Sequence, residues 1–135
     1  MTDFRRVTDD FSVAPQITLA DMQAAADAGF KLVINNRPDG EDAGQPTNAQ
    51  MRAAAEGAGL EYVFAPVVGR PTRDVAETVR AAIDEAGGPV LAFCRSGTRS
   101  INTWALGQAL SGQRPRDELL TLGQQAGYDL SGILS

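Results

Sequence analysis

Short apolar runs alternate along the chain with longer segments in which apolar residues recur at helical spacing. The run in residues 89–93, Pro-Val-Leu-Ala-Phe, is typical of a buried strand, and similar runs occupy residues 31–35 and 60–67. Residues 4–16 contain an Asp-Asp turn signal and predict an opening hairpin or edge strand that ends at a proline. The pattern therefore predicts four to five strands.

Helix signals fill the segments between these runs. Thr18, Thr47 and Thr72 stand at positions typical of N-caps, and Gly29 and Gly59 follow the first two predicted helices as stop signals. We predict helices over residues 18–28, 47–58, 72–86, 101–110 and 115–125.

Strands and helices that alternate at this spacing predict an α/β fold, with a mostly parallel central sheet of four to five strands flanked by helices. Ligands bind beyond the carboxyl ends of the strands in such sheets. The loops at residues 36–41, 68–73 and 94–99 each follow a strand, so we expect them to meet at one edge. The charged residues of these loops and of the adjoining helix start are candidate neighbours of a ligand: Arg37, Asp39, Glu41, Arg70, Arg73 and Asp74.

Composition narrows the possible functions. At 135 residues the chain is most simply one domain, residues 1–135. The net charge of −5 and the pI of about 4.6 argue against a nucleic-acid-binding face. No leader or membrane span is evident, so we expect no membrane association and a cytoplasmic location. The chain has no histidine, which excludes Ser-His-Asp and Cys-His catalysis and leaves no predicted metal site or cofactor.

The only cysteine, Cys94, stands where the strand of residues 89–93 passes into a helix. A helix N-terminus offers free N–H groups and the positive end of a dipole, and such surroundings favour the thiolate, the nucleophilic form of cysteine. We therefore predict Cys94 as the nucleophile and Arg99 as a catalytic, anion-binding cation. The rest of this Cys94 loop, residues 94–100, is predicted to bind the anion through Arg95, Ser96, Gly97, Thr98 and Ser100.

The sequence of the Cys94 loop, Cys-Arg-Ser-Gly-Thr-Arg-Ser, resembles the active-site loop of rhodanese-type sulfurtransferases. It is also similar to the phosphate loop of cysteine-dependent tyrosine and dual-specificity phosphatases. Over nearly the whole chain the sequence more closely resembles a small bacterial family, the phosphatase-like domains named for the beta-lactamase hydrolase-like proteins. The matching segments are residues 34–41, 45–46, 62–67 and 88–100. This resemblance implies a fold like that of the dual-specificity phosphatases and a cysteine nucleophile.

The number of residues between the cysteine and the arginine differs between rhodaneses and cysteine-dependent phosphatases. Four residues lie between Cys94 and Arg99, as in compact rhodaneses that hold a cysteine persulfide, whereas the phosphatases place five there to wrap a phosphoryl group. On this ground the sequence favours a sulfurtransferase. Cys94 would accept a sulfur atom from a small anionic donor, thiosulfate or a persulfide, and pass it to cyanide or a thiol acceptor.

Two other functions stay open. A phosphatase would hydrolyse a phosphoester through a phosphocysteine, with Arg99 on the phosphoryl oxygens and Asp74 or Asp39 protonating the leaving group. A non-catalytic module would bind an anion or sense oxidants through Cys94. For either enzyme, further substrate-binding candidates at the same edge are Arg37, Arg70 and Arg73.

Overall fold

A computed structural model describes residues 2–134, whose strands and helices alternate around a five-stranded sheet. The strands are β1 (Arg5–Thr8), β2 (Phe11–Ala14), β3 (Leu32–Asn35), β4 (Glu61–Phe64) and β5 (Val90–Phe93). The helices are α1 (Asp21–Asp27), α2 (Asn48–Gly57), α3 (Arg73–Glu85), α4 (Thr98–Ser111) and α5 (Arg116–Ala126). The predicted α/β fold is confirmed.

The central strand of the sheet is β5, which leads directly to Cys94. The strand order is β1-β2-β5-β3-β4, with only β1 antiparallel to its neighbour. Phe93, the last residue of β5, lies opposite Ala14 of β2 and Asn35 of β3. All four residues of β5 are buried, as expected for a parallel strand covered on both faces. Cys94 therefore leaves the sheet from the middle of its carboxyl edge.

Two apolar clusters cover the two faces of the sheet. On one face, Ile101 and Trp104 of α4 pack with residues of α3 and α5 against strand side chains such as Ala92. On the other face, Met22 of α1 and Met51 of α2 pack against strand side chains such as Phe93. The alternation of β5 between these clusters fixes its register, because a slip of one residue would exchange the two faces.

The ends of the helices follow local capping chemistry. Thr47 and Gln50 form a complete capping box at α2, and Thr72 accepts a hydrogen bond from the Val75 N–H at α3. The predicted start of the first helix at Thr18 is three residues early. Thr18 Oγ1 accepts from the Asp21 N–H at 3.2 Å, but α1 itself begins at Asp21.

The helix after Cys94 begins earlier than the apolar pattern predicts. It starts at Thr98 instead of Ile101, because Gly97 adopts φ of 91° and turns the chain into α4 immediately after the loop. The amides of the first turn consequently lie next to Cys94. In residues 2–134 the helices lack the combined length and hydrophobicity needed to cross a bilayer.

Candidate active site

Three loops meet at the carboxyl edge of the sheet, and the Arg99 side chain joins them. Arg99 lies in the first turn of α4, after β5. Its Nη1 donates to the Val67 carbonyl, after β4, at 2.9 Å and to Glu41 Oε2, after β3, at 2.7 Å. The segments that follow β3, β4 and β5 therefore meet, although the contact after β4 is made by Val67, one residue before the predicted loop of residues 68–73.

Cys94 lies at the base of this meeting point. It is fully buried, and its Sγ accepts a hydrogen bond from the Gly97 N–H at 3.1 Å. The Cys94 N–H in turn is paired with the Ala14 carbonyl of β2 at 3.4 Å. The sulfur therefore faces the N-terminal end of α4, whose free N–H groups and dipole favour a negative charge.

The guanidinium of Arg99 has one edge occupied and one edge available. Both Nη1 hydrogens and one Nη2 hydrogen are used by Glu41 and the Val67 carbonyl. The remaining two of its five donors, Nε–H and the second Nη2–H, form one edge of the planar group. Such an edge matches two oxygens of a phosphoryl or sulfonate anion. Hydrogen bonding by Glu41 makes the largest contribution to the raised pKa of Arg99, and the nearby Cys94 adds to it.

Glu41 is held by two arginines at once. Arg99 Nη2 and Arg37 Nε both donate to its Oε1, at 2.8 and 2.9 Å. Hydrogen bonding by Arg99, supported by Arg37 and opposed by partial burial, lowers the pKa of Glu41 to about 2. Glu41 in return makes the largest contribution to the raised pKa of Arg99. The carboxylate and the guanidinium are therefore both charged throughout the physiological pH range.

Arg37, a predicted substrate-binding residue, is buried beneath this pair. Its side chain is 3% exposed and donates to Glu41, to Gln16 Oε1 at 3.0 Å and to Asp42 Oδ2 at 2.7 Å. Its backbone N–H donates to Asn35 Oδ1. With these partners the guanidinium acts as an internal support of Glu41 and is not presented to a ligand.

The other residues of the Cys94 loop differ in exposure. Arg95 is 68% exposed, and its Nε lies 4.0 Å from Asp42 Oδ2. Ser96 Oγ donates to Thr98 Oγ1 at 3.0 Å on the outer side of the turn. Ser100 is buried, and its Oγ has no hydrogen-bond partner within residues 2–134. Arg95 is therefore the loop cation that an approaching anion meets first.

Each of the two predicted acids is associated with the start of a helix. Asp39 is exposed, and its Oδ1 accepts from the Asn48 N–H of α2 at 2.7 Å, which is a capping contact. Asp74 is exposed in the first turn of α3, where the helix dipole stabilises a carboxylate. Neither carboxylate is seen in contact with the Cys94 loop. Their predicted roles as proton donors stay predictions.

The two remaining predicted arginines lie on the loop that leads into α3. Arg70 donates from its two Nη atoms to the carbonyls of Gly132 and Ile133, at 3.3 and 3.4 Å, and so connects this loop to the C-terminal turn. Arg73 is exposed at the first residue of α3. The structure does not bring either side chain onto Cys94, and their substrate contacts also stay predictions.

Three residues near the site carried no recognisable sequence signal. Gln16 and Asp42 hold Arg37, and Tyr128, after α5, donates from its hydroxyl to the Ser96 carbonyl at 2.9 Å. Tyr128 lies 32 residues from Ser96 in the chain, so no local motif connects them.

Among residues 2–134 no group of three or more Cys, Asp or Glu side chains is placed to hold a metal ion. The arrangement can bind an oxyanion and present a thiolate to it.

Comparison with known proteins matches the sequence to a family. The family described as "Beta-lactamase hydrolase-like protein, phosphatase-like domain" matches residues 3–111. The chain is 42% identical over 128 residues to a beta-lactamase hydrolase-like protein of Agrobacterium fabrum, which covers 93% of this chain and 29% of that protein. It thus spans less than a third of the length of this curated relative.

Solved structures share the fold over almost the whole chain. The crystal structure of a proposed phosphatase from Neisseria meningitidis superimposes with a TM-score of 0.83 at 37% identity, covering 96% of this chain and 92% of that one. TpbA of Pseudomonas aeruginosa, crystallised in complex with pTyr, superimposes with a TM-score of 0.63 at 17% identity, covering 98% and 88%. At that identity the second likeness concerns the fold alone.

Proposed function

Because the chain belongs to the phosphatase-like domain family of the beta-lactamase hydrolase-like proteins, we propose that it hydrolyses phosphate monoesters through a covalent intermediate on Cys94. It is a cysteine-nucleophile enzyme of the hydrolase or transferase class, as the sequence predicts. The family and fold comparisons favour the phosphatase alternative over the sulfur transfer that loop spacing alone placed first.

The observation that carries the proposal is the fixed guanidinium of Arg99 in the first helical turn after a sulfur that accepts a hydrogen bond from the Gly97 N–H. Glu41 and the Val67 carbonyl hold one edge of the guanidinium, and the other edge is left for two oxygens of an anion. The Gly97 N–H already points at Cys94 Sγ. Donors fixed before the reaction stabilise charge on the transferring phosphoryl group without having to reorganise.

The reaction divides into two displacements at phosphorus. The Cys94 thiolate attacks the phosphorus atom, an S–P bond forms, and the P–O bond to the leaving group breaks with its electron pair on the departing oxygen. Water then attacks the phosphocysteine, the S–P bond breaks, and the thiolate is regenerated. One proton of that water stays on inorganic phosphate, and the other passes to solvent, where it balances the proton that the departed oxyanion has taken up. Arg99 binds phosphoryl oxygens in both steps.

The surroundings of the loop favour an aryl ester. Asp39 caps α2 and Asp74 is exposed at the start of α3, so neither carboxylate is poised over Cys94. A phenol has a pKa of about 10 and leaves as phenolate far more readily than an aliphatic alcohol leaves as alkoxide. We therefore expect phenyl phosphates, with phosphotyrosine as the natural probe, to react faster than alkyl phosphates.

Sulfur transfer is the second candidate, and the four-residue spacing between Cys94 and Arg99 favours it. Here the thiolate attacks the outer sulfur of thiosulfate, the S–S bond to sulfite breaks, and sulfite departs with the electron pair. Cyanide or an acceptor thiolate then attacks the outer sulfur of the Cys94 persulfide and releases the thiolate. Both leaving groups depart without protonation, which suits a site that has no histidine.

A direct comparison of the two substrates tests the proposal. The protein and its Cys94→Ser variant are assayed with p-nitrophenyl phosphate, with phosphotyrosine, and with thiosulfate plus cyanide. Arg99→Gln serves as the anion-site variant, and Arg116→Gln is the charge-matched control because it removes the same charge from the start of α5. Intact mass after rapid acid quench identifies a phosphoryl or a sulfur adduct on the only cysteine.

We expect phosphate release that is lost in Cys94→Ser, strongly reduced in Arg99→Gln and unchanged in Arg116→Gln. A mass increase of one sulfur atom with thiosulfate, together with thiocyanate formation and no phosphate release, would replace the proposal with the sulfurtransferase. Absence of turnover on both substrate types would contradict both enzymes and leave the anion-binding or redox-sensing module.

A further inference from the structure

Tyr128 touches the Cys94 loop from its outer side. Its hydroxyl donates to the Ser96 carbonyl at 2.9 Å and accepts a hydrogen bond from Arg5 Nη1 at 2.7 Å. The Arg5 guanidinium also lies over the Tyr128 ring, 5.5 Å from its centroid. Arg5 is on β1, at one edge of the sheet, and Tyr128 follows α5, so the contact brings two distant parts of the chain to the loop.

The peptide bond that Tyr128 contacts is the one that serves Cys94. The carbonyl of the Ser96–Gly97 peptide receives the tyrosine hydroxyl, and the N–H of the same peptide donates to Cys94 Sγ at 3.1 Å. This peptide is trans and planar, so its C=O and N–H point in opposite directions. A donor that holds the carbonyl outward therefore holds the N–H toward the sulfur.

We propose that Arg5 and Tyr128 form a hydrogen-bond relay that holds the Ser96–Gly97 peptide and thereby stabilises the thiolate of Cys94. The relay runs from the Arg5 guanidinium to the Tyr128 hydroxyl, to the Ser96 carbonyl, and through the peptide to the Gly97 N–H and the sulfur. Hydrogen bonds in such a chain polarise one another, so a cation at one end strengthens the donor at the other. Tyr128 and Arg5 are positioning residues that do not touch the substrate.

The packing at Gly97 shows how closely the tyrosine fits. A Cβ atom added to Gly97 would lie 2.2 Å from Tyr128 Oη and 3.4 Å from the Ala14 carbonyl. The hydroxyl thus occupies the space beside the loop that a side chain would need, and glycine is required for this approach as well as for its φ of 91°. Tyr128 therefore packs directly against the Cys94 loop at Gly97.

The relay is independent of the electrophile that the thiolate attacks. It acts on Cys94 in the absence of substrate, so it applies equally to phosphoryl transfer and to sulfur transfer. A measurement on the resting thiol therefore tests the relay even if the proposed phosphatase activity is not found.

The charged groups that face Cys94 allow its ionisation to be followed without interference. They are Arg99 of α4, Arg99's partner Glu41 after β3, the exposed Arg95, and Tyr128 with Arg5. Hydrogen bonding by Arg99 lowers the pKa of Glu41 to about 2, and burial raises the pKa of Tyr128 above its ordinary value. Neither Glu41 nor Tyr128 is therefore expected to change charge between about pH 5 and pH 9.

The test is the rate of Cys94 alkylation by iodoacetamide as a function of pH, followed by intact mass. Tyr128→Phe removes the hydroxyl but leaves the Arg5 cation in place, so it separates the relay from a simple charge effect. Arg5→Gln interrupts the relay at its other end. Arg6→Gln is the control, because it removes the same charge from the neighbouring residue of β1, whose exposed side chain pairs with Asp9.

In Tyr128→Phe we expect the midpoint of the alkylation profile to move up by about half to one pH unit, which corresponds to a roughly threefold to tenfold slower alkylation at pH values below the midpoint. Arg5→Gln should move it in the same direction, and Arg6→Gln should leave it in place. Amide hydrogen exchange at Gly97 should become faster in Tyr128→Phe. An unmoved midpoint in both Tyr128→Phe and Arg5→Gln would overturn the relay, even if either variant were less stable, because a purely structural role lowers the melting temperature without shifting this profile.

Discussion

The Glu41 carboxylate accepts a hydrogen bond from each terminal nitrogen of Arg99, at 2.7 and 2.8 Å, although 58 residues separate them in the sequence. This two-point contact fixes the plane of the guanidinium, which a single hydrogen bond does not do. Arg37 supports the same carboxylate from below. The orientation of the anion-binding cation is therefore set by a carboxylate that takes no part in bond making.

Replacing Glu41 by glutamine should weaken the enzyme through Arg99. We expect kcat/KM for p-nitrophenyl phosphate to fall roughly tenfold to a hundredfold, because the guanidinium loses one of its two hydrogen bonds to residue 41 and with it the two-point contact that orients it. Glu61→Gln, an exposed glutamate on β4, is the control and should match the unmodified protein. A rise in kcat/KM would mean that Glu41 competes with substrate for Arg99 and would contradict a positioning role.

The same residue predicts a pH dependence of stability. Arg99 lowers the folded pKa of Glu41 from 4.5 to about 2, so its contribution is fully present above the unfolded value and is lost as the pH falls toward the folded value. The difference in free energy of unfolding between the protein and Glu41→Gln should therefore be constant above about pH 5 and shrink as the pH falls toward 2. Urea unfolding at several pH values measures it. A difference that stays constant down to pH 2.5 would show that the ion pair contributes no pH-dependent stability.

Gly97 should tolerate alanine poorly, for two separable reasons. Its φ of 91° alone costs an alanine about 1–2 kcal/mol, and the added Cβ would overlap Tyr128 Oη at 2.2 Å. Gly112, with φ of 70° and no atom within 4 Å of such a Cβ, is the matched control and should show the backbone cost alone. We expect the Gly97→Ala variant to lose more stability than Gly112→Ala. Tyr128→Phe should recover part of that difference in a double variant, and equal losses at both glycines would refute the overlap.

Substitutions of Asp39 and Asp74 should distinguish a role in stability from a role in proton transfer. Asp39→Ala should lower the free energy of unfolding by about 1 kcal/mol, because α2 loses a cap, whereas Asp39→Asn keeps an acceptor and should not. Hydrolysis of p-nitrophenyl phosphate should be unchanged in Asp39→Asn and in Asp74→Asn. The pH profile of kcat is the decisive measurement. Loss of its alkaline limb in either variant would identify that aspartate as the proton donor after all, because a proton donor stops working when it is deprotonated.

Sequence reasoning found the elements and the centre of the site because these depend on local signals. Thr47 and Thr72 identify helix starts by the chemistry of a single turn, and the apolar run before Cys94 predicts a strand that is buried on both faces. Since parallel strands end at one edge of the sheet, sequence reasoning also predicted that Glu41 lies near the Cys94 loop. It did not distinguish Glu41 from Asp39, which lies two residues earlier and turns to α2 instead.

The number of residues between Cys94 and Arg99 does not by itself decide the function. Four residues between Cys94 and Arg99 favoured a persulfide loop, whereas the fold and the family favour phosphoryl chemistry. Spacing measures the length of a loop, but its anion-binding shape also depends on where the amides and the guanidinium point. Those directions are set by contacts from other strands.

The sequence by itself determined the order of strands and helices, the thiol at a strand end, and the helix start beside it. Each of these follows from side-chain periodicity, capping and turn chemistry within a few residues. Only the tertiary structure decided that Arg37 is buried as a support, that Glu41 orients Arg99, and that Tyr128 and Arg5 contact the loop. Glu41 and Arg99 are 58 residues apart, and Arg5 and Tyr128 are 123 residues apart. Burial of apolar surface packs the elements that carry them against one another, and a pattern within a few residues does not encode which distant elements pack together.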